Sequence, residues 1–97
     1  MAQSLVDGRT IVTTAGTAVV LSSTNVEGVE WVAITAETDN TGVITVGGSA
    51  VVGALATRKG VPLAVGDSVT LPINNLSDVY LDTTVNGDGV TYSVGVS

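Results

Sequence analysis

The chain has 97 residues and a formal net charge of −6, and it contains neither cysteine nor histidine. This length makes one domain with one small core, and without Cys or His the chain has no disulfide, thiolate zinc site or imidazole catalyst. The negative charge argues against nucleic-acid binding. No run reaches the ~18 apolar residues of a membrane helix, and residues 1–10 lack the features of a signal peptide. We therefore expect no membrane contact, and we expect the chain to be made and used without export.

The amino-acid composition points to an all-β fold. Val and Thr together account for about a third of the residues, and both are β-branched side chains that suit a pleated surface better than a helix. Only 12 % of the residues are charged, roughly half the usual share. Such a surface suits contact with other proteins, although a β domain solubilised by hydroxyl groups would have the same composition.

The first eight residues stand apart from the rest of the chain. Residues 1–8 show no sustained hydrophobic period, which predicts an N-terminal arm that either frays or docks onto something else. Its Leu5 and Val6 are the side chains that could dock. The β domain is then predicted over residues 9–97.

The first half of this domain predicts several strands. Residues 9–14 and 17–22 are short apolar and polar runs separated by Ala15-Gly16, which indicates a hairpin or a tight bend between two strands. Residues 29–37 form the longest strand candidate, and both of its faces are fairly apolar, so we expect it to be central. One face carries Val32, Ile34 and Ala36, and the other carries Trp31, Ala33 and Thr35.

The next features are a tryptophan, a turn and a long connection. Trp31 is the only tryptophan, and in a chain with three aromatic residues it fits a core or a subunit interface better than a stacking platform for ligands. Residues 39–42 (DNTG) predict a turn with Asx side chains and a positive-φ glycine. Residues 48–60 predict a loop that contains Arg58 and Lys59, with a helical turn over residues 54–57 as the alternative.

The second half contains three apolar runs with a period of two residues, each bounded by Gly, Asn or Asp. They are Val69/Leu71/Ile73, Val79/Leu81/Thr83 and Val90/Tyr92/Val94. Residues 15–21 and 65–71 also match as a pattern at an offset of 50 residues, and residues 40–43 and 86–90 share an Asn-turn-Gly-Val signature. Two similar halves would build a sandwich with internal two-fold symmetry, although hairpins reuse the same turn residues in unrelated proteins.

The carboxylates are the remaining groups that could carry chemistry. Asp78 and Asp82 fall on one face of a strand with Tyr80, and a solvated polar face explains this better than a catalytic acid pair. Asp88 lies in a Gly-rich turn that lacks the further acids and closing Glu of a calcium loop, so we expect it to stabilise the turn. The sequence therefore predicts no catalytic set, no metal site and no cofactor.

Several short segments between about residue 9 and residue 94 form a characteristic pattern of turns and strands. They are the opening VTTAGTAV followed by Leu21, and residues 40–42 (NTG), 46–49 (VGGS), 60–63 (GVPL), 66–68 (GDS), 75–80 (NLSDVY) and 88–92 (DGVTY). This pattern resembles small β-sandwich virion proteins of tailed bacteriophages and prophages.

The resemblance implies an all-β sandwich or jelly-roll domain with a structural role. The role implied first is a capsid cement or decoration protein, made in the host cytoplasm, that binds the major capsid protein outside the head as a homo-oligomer, with a trimer favoured. The alternatives are a tail or vertex component and a head-fibre module that binds glycans. The interface candidates, chosen for position and isolated charge, are Leu5, Val6, Arg9, Arg58 and Lys59.

Overall fold

Two four-stranded antiparallel sheets make up the computed structural model, which describes residues 4–24 and 26–97. The sheet that we call the front sheet has the order β1 (Ser4–Ile11), β8 (Gly89–Val96), β3 (Val29–Ala36) and β6 (Ser68–Leu71). The back sheet has the order β2 (Val19–Val20), β7 (Tyr80–Thr83), β4 (Ile44–Gly47) and β5 (Val61–Leu63). Short 3-10 helices lie at Leu55–Thr57 and Leu76–Asp78. The predicted all-β sandwich is confirmed.

The strand order is that of a jelly roll, in which each sheet mixes strands from both halves of the chain. If β1, β2, β3 and β4 are exchanged with β5, β6, β7 and β8 respectively, the order of the front sheet becomes β5-β4-β7-β2. This is the order of the back sheet read from its other edge. The repeat at an offset of 50 residues falls on β2 and β6, which this exchange relates. The two matched segments therefore occupy equivalent places in the two sheets.

The core lies between the inner faces of the sheets, where the predicted alternation is observed. Along β3 the inner side chains are buried, whereas the intervening ones stay half-buried. Because β3 pairs with both β8 and β6, its predicted central position is confirmed. The fully buried positions from both sheets include Val32, Ile34, Ala36, Ile44, Leu81, Val90 and Val94.

The N-terminal part of the chain differs from the expected arrangement. The boundary expected between an arm of residues 1–8 and the domain falls inside β1, which pairs continuously with β8 from Ser4 opposite Val96 to Ile11 opposite Gly89. Residues 1–3 lie outside the described residues. Residues 12–18 then cross to the back sheet, with Gly16 at a φ of 90°. The hairpin alternative is therefore wrong and the tight bend is observed, because β1 and β2 belong to different sheets.

The connection over residues 48–60 covers the outer face of the back sheet. It is a loop with one 3-10 turn at Leu55–Thr57, and Val52 and Lys59 exchange two backbone hydrogen bonds of 3.1 and 2.9 Å across it. Beneath it, Thr45 of β4 is fully buried although it points away from the core. The central strands of the back sheet are therefore buried on both faces, whereas the outer face of the front sheet has no such cover from the described chain.

Candidate interaction surface

The outer face of the front sheet is the candidate functional surface. Strand parity places alternate residues there, because directly opposed residues in an antiparallel sheet point to the same side. From β1 it carries Leu5, Asp7, Arg9 and Ile11. From β8 and β3 it carries Thr91, Ser93, Trp31, Ala33 and Thr35. All of these side chains are exposed or half-buried, and most of them are small, apolar or hydroxyl-bearing.

Trp31 forms the apolar end of this face. Its indole ring lies against Gly95 of β8, where a β-carbon would overlap the ring. Gly95 is paired with Trp31 on one side and with Leu5 on the other. Leu5 is 62 % exposed, and Trp31 is half-buried by its own sheet. Trp31 therefore lies outside the core between the sheets, and its place in a subunit interface stays a prediction.

An ion pair marks the other end of the face. Arg9 Nε donates to Glu37 Oε1 and Oε2 at 2.9 and 3.0 Å, and the side chain of Arg9 is 57 % exposed whereas that of Glu37 is 12 % exposed. The hydrogen bond that Arg9 donates to Glu37 raises the pKa of the Arg9 guanidinium above its usual value. In the sequence Arg9 is an isolated charge, because its partner Glu37 lies 28 residues away.

A shallow depression of about 430 Å³ lies between these two ends. Its lining includes Asp7, Ala33, Thr35, Thr91 and Ser93. Ser93 Oγ donates to Asp7 Oδ1 at 2.7 Å. Asp7 is not among the residues predicted from the sequence. Assigning residues 4–8 to a strand would have placed Asp7 on the same face as Leu5 and Arg9, because alternate residues of a strand point to the same side.

The five predicted interface residues fall into two groups on different layers. Leu5 and Arg9 lie on the outer front face, and Val6, 41 % exposed, lies on the inner side of the same edge strand. Arg58 is half-buried with its Nε 3.3 Å from Gly53 O, and Lys59 is exposed, both in the loop over the back sheet. The structure therefore does not bring the two groups together, and their role in binding stays a prediction.

The carboxylates singled out in the sequence do not form a site. Asp78 is exposed in the second 3-10 helix, whereas Asp82 is only 2 % exposed. The predicted solvated Asp-Tyr-Asp face is therefore wrong for Asp82, because residues 48–60 cover it. Asp88 was expected to stabilise its own turn, but its two carboxylate oxygens instead accept from Thr41 N and Gly42 N, in the turn over residues 39–42, at 3.1 and 2.8 Å.

Known proteins and known site types add no assignment. Comparison of the chain with family models, curated proteins and solved structures finds no match. Within residues 4–24 and 26–97, no group of three or more acidic, His or Cys side chains could hold a metal ion. The same residues include no helix that is long and apolar enough to cross a membrane.

Proposed function

We propose that this chain is a structural virion protein of a tailed bacteriophage, a cement or decoration protein that binds the major capsid protein on the outside of the head. The observation that carries the proposal is the difference between the two sheets. The back sheet is covered by the chain's own loop of residues 48–60, whereas the front sheet leaves Leu5 and Trp31 on an open face of low charge. The resemblance of the sequence pattern to small virion proteins supports a place on a phage particle.

Such a protein works by burying surface. Each junction with the shell needs about 1,000 Å² or more of buried area, and the same junction is repeated over the whole particle. Because binding to the assembled state stabilises that state, many modest contacts resist disassembly without any chemistry. The small side chains in the middle of the front face let another surface approach the sheet closely, and Leu5 and Trp31 supply the apolar area.

A glycan-binding head-fibre module is the second candidate. It is favoured by the depression on the front face, where Asp7, Thr35, Thr91 and Ser93 offer a carboxylate and three hydroxyl groups. These groups could accept and donate hydrogen bonds to a sugar, with Trp31 on the same face. A glycan array probed with the purified chain separates this candidate from a cement protein, which should bind no glycan.

The copy number of the chain in purified particles of the encoding phage or prophage tests the proposal. A cement protein should be present on the order of hundreds of copies per head, because it follows the repeated lattice of the shell. About six or twelve copies would instead indicate a tail or vertex component. Absence of the chain from the particles would refute the virion assignment.

A further inference from the structure

The four edge strands of the two sheets are protected very unequally. In the back sheet, β2 has two residues, and β5 has three with Pro62 in its middle. In the front sheet, β6 has four residues. Short strands and proline are the usual means by which an edge avoids pairing with another chain. The fourth edge, β1, has eight residues in continuous register with β8 and contains no proline.

The backbone groups on the free side of β1 belong to the odd-numbered residues. Val12 faces β8, since its N–H donates to Asp88 O at 2.9 Å and its carbonyl accepts from Gly87 N at 2.8 Å. Orientation alternates along an antiparallel strand, so Thr10, Gly8 and Val6 also face β8. The N–H and C=O groups of the intervening residues therefore point outward, and these residues are Leu5, Asp7, Arg9 and Ile11.

We propose that two copies of this chain pair antiparallel through β1, around a two-fold axis at Gly8. In that register Asp7 of each copy lies opposite Arg9 of the other, and Leu5 lies opposite Ile11. All four side chains lie on the same outer face, so unlike charges meet and apolar residues meet. The outward backbone groups also meet in this register, because odd-numbered residues face odd-numbered residues.

The contact is compatible with the interactions already present in one copy. Arg9 contacts Glu37 through Nε, and its terminal guanidinium nitrogens can reach Asp7 of the second copy. The two front sheets then become one sheet of eight strands, and the open face doubles in area. A two-fold axis closes on itself, so this register gives a dimer and not the trimer favoured from the sequence. The proposal rests on β1 and is independent of the virion assignment.

Reversing the charges tests the register by sedimentation velocity between about 10 μM and about 1 mM. The wild-type chain of 9.6 kDa should approach twice that mass as the concentration rises. Asp7→Arg and Arg9→Asp should each weaken association about tenfold or more, because like charges then face each other twice. An equimolar mixture of the two variants should restore the dimer, since each arginine then faces an aspartate. The matched control, Thr70→Arg on the opposite edge strand β6, should dimerise as the wild type does.

Amide hydrogen exchange reports on the same edge without any substitution. At low concentration the N–H groups of Asp7 and Arg9 should exchange fast while those of Val6 and Gly8 stay protected. At high concentration all four should be protected. A wild-type monomer throughout the range, a variant mixture that stays monomeric, or an oligomer indifferent to Asp7→Arg would each overturn the proposal.

Discussion

Replacing Asp82 should remove the hydrogen bonds that hold the segments of residues 12–18 and 48–60 to the back sheet. The Asp82 carboxylate lies on the outer side of β7, and its Oδ1 accepts from Gly16 N and Thr83 N at 2.9 and 2.8 Å. Its Oδ2 accepts from Gly53 N at 2.8 Å. One buried side chain therefore joins the crossing of residues 12–18 and the loop of residues 48–60 to the same strand.

The cost of Asp82→Ala follows from the N–H groups that lose their acceptor. Gly53 and Thr83 are buried, whereas Gly16 is exposed and can be rehydrated. An unsatisfied buried donor costs about 1–3 kcal/mol, so two of them lower the free energy of unfolding by about 4 kcal/mol. That is a large part of the ~5–15 kcal/mol that stabilises a typical domain. Asp82→Asn keeps one acceptor oxygen and should lose about half as much.

Chemical and thermal unfolding of the purified variants measures this loss. Since 1 kcal/mol shifts the Tm of a domain of this size by about 4–8 °C, Asp82→Ala should melt about 15–30 °C below the wild type. Asp78→Ala, which removes an exposed carboxylate close by in the chain, should stay within about 0.5 kcal/mol of the wild type. Equal stabilities for the two alanine variants would refute the stabilising role of the buried Asp82 carboxylate.

Two further pairs of substitutions test how the loop of residues 48–60 packs on the back sheet. Within the described chain the buried hydroxyl of Thr45 has no hydrogen-bond partner, so Thr45→Val should raise the unfolding free energy by about 1 kcal/mol. Thr83→Val, which removes bonds of 3.3 Å to Val43 O and Val85 N, should lower it. Gly60→Ala should lower the unfolding free energy by at least ~2 kcal/mol. The reason is that Gly60 has a φ of 122° and a β-carbon there would lie 2.7 Å from Val46 O. Gly48→Ala is the control, since a β-carbon at Gly48 would have no heavy atom within 4 Å. Urea unfolding measures the stability of all four variants, provided that the m value is unchanged. The packing would be contradicted if Thr45→Val were less stable than Thr83→Val, or Gly48→Ala less stable than Gly60→Ala.

The elements that sequence reasoning found are those whose signal is local. The alternation of Val32, Ile34 and Ala36 identified β3, because it records which side of the strand faces the core. The Asn and Gly residues around position 40 identified the turn before β4, but the predicted details are wrong: Gly42 has no positive φ, and the Asn40 side chain bonds to the backbone of Gly89. Asp88 is different, because its carboxylate bonds to Thr41 N and Gly42 N, which lie 47 and 46 residues away, and no local pattern predicts that contact.

The elements that were missed depend on contacts distant in sequence. Residues 4–8 show no period because an edge strand with its outer face open needs no apolar alternation. Asp82 follows the period of its strand, yet it is buried because a loop 29 residues earlier covers it. The pairing of Arg9 with Glu37 likewise arises only when β1, β8 and β3 lie side by side. The candidate surface thus follows from the strand order, which local patterns do not contain.

Hydroxyl-radical footprinting of the chain on and off the particle tests most directly whether the front face is the binding surface. Mass spectrometry measures oxidation at Trp31 and Leu5 on that face, and at Leu55, which is 79 % exposed in the loop over the back sheet. The account predicts that particle binding protects Trp31 and Leu5 and leaves Leu55 reactive. Protection of Leu55 with unchanged oxidation of Trp31 and Leu5 would contradict it.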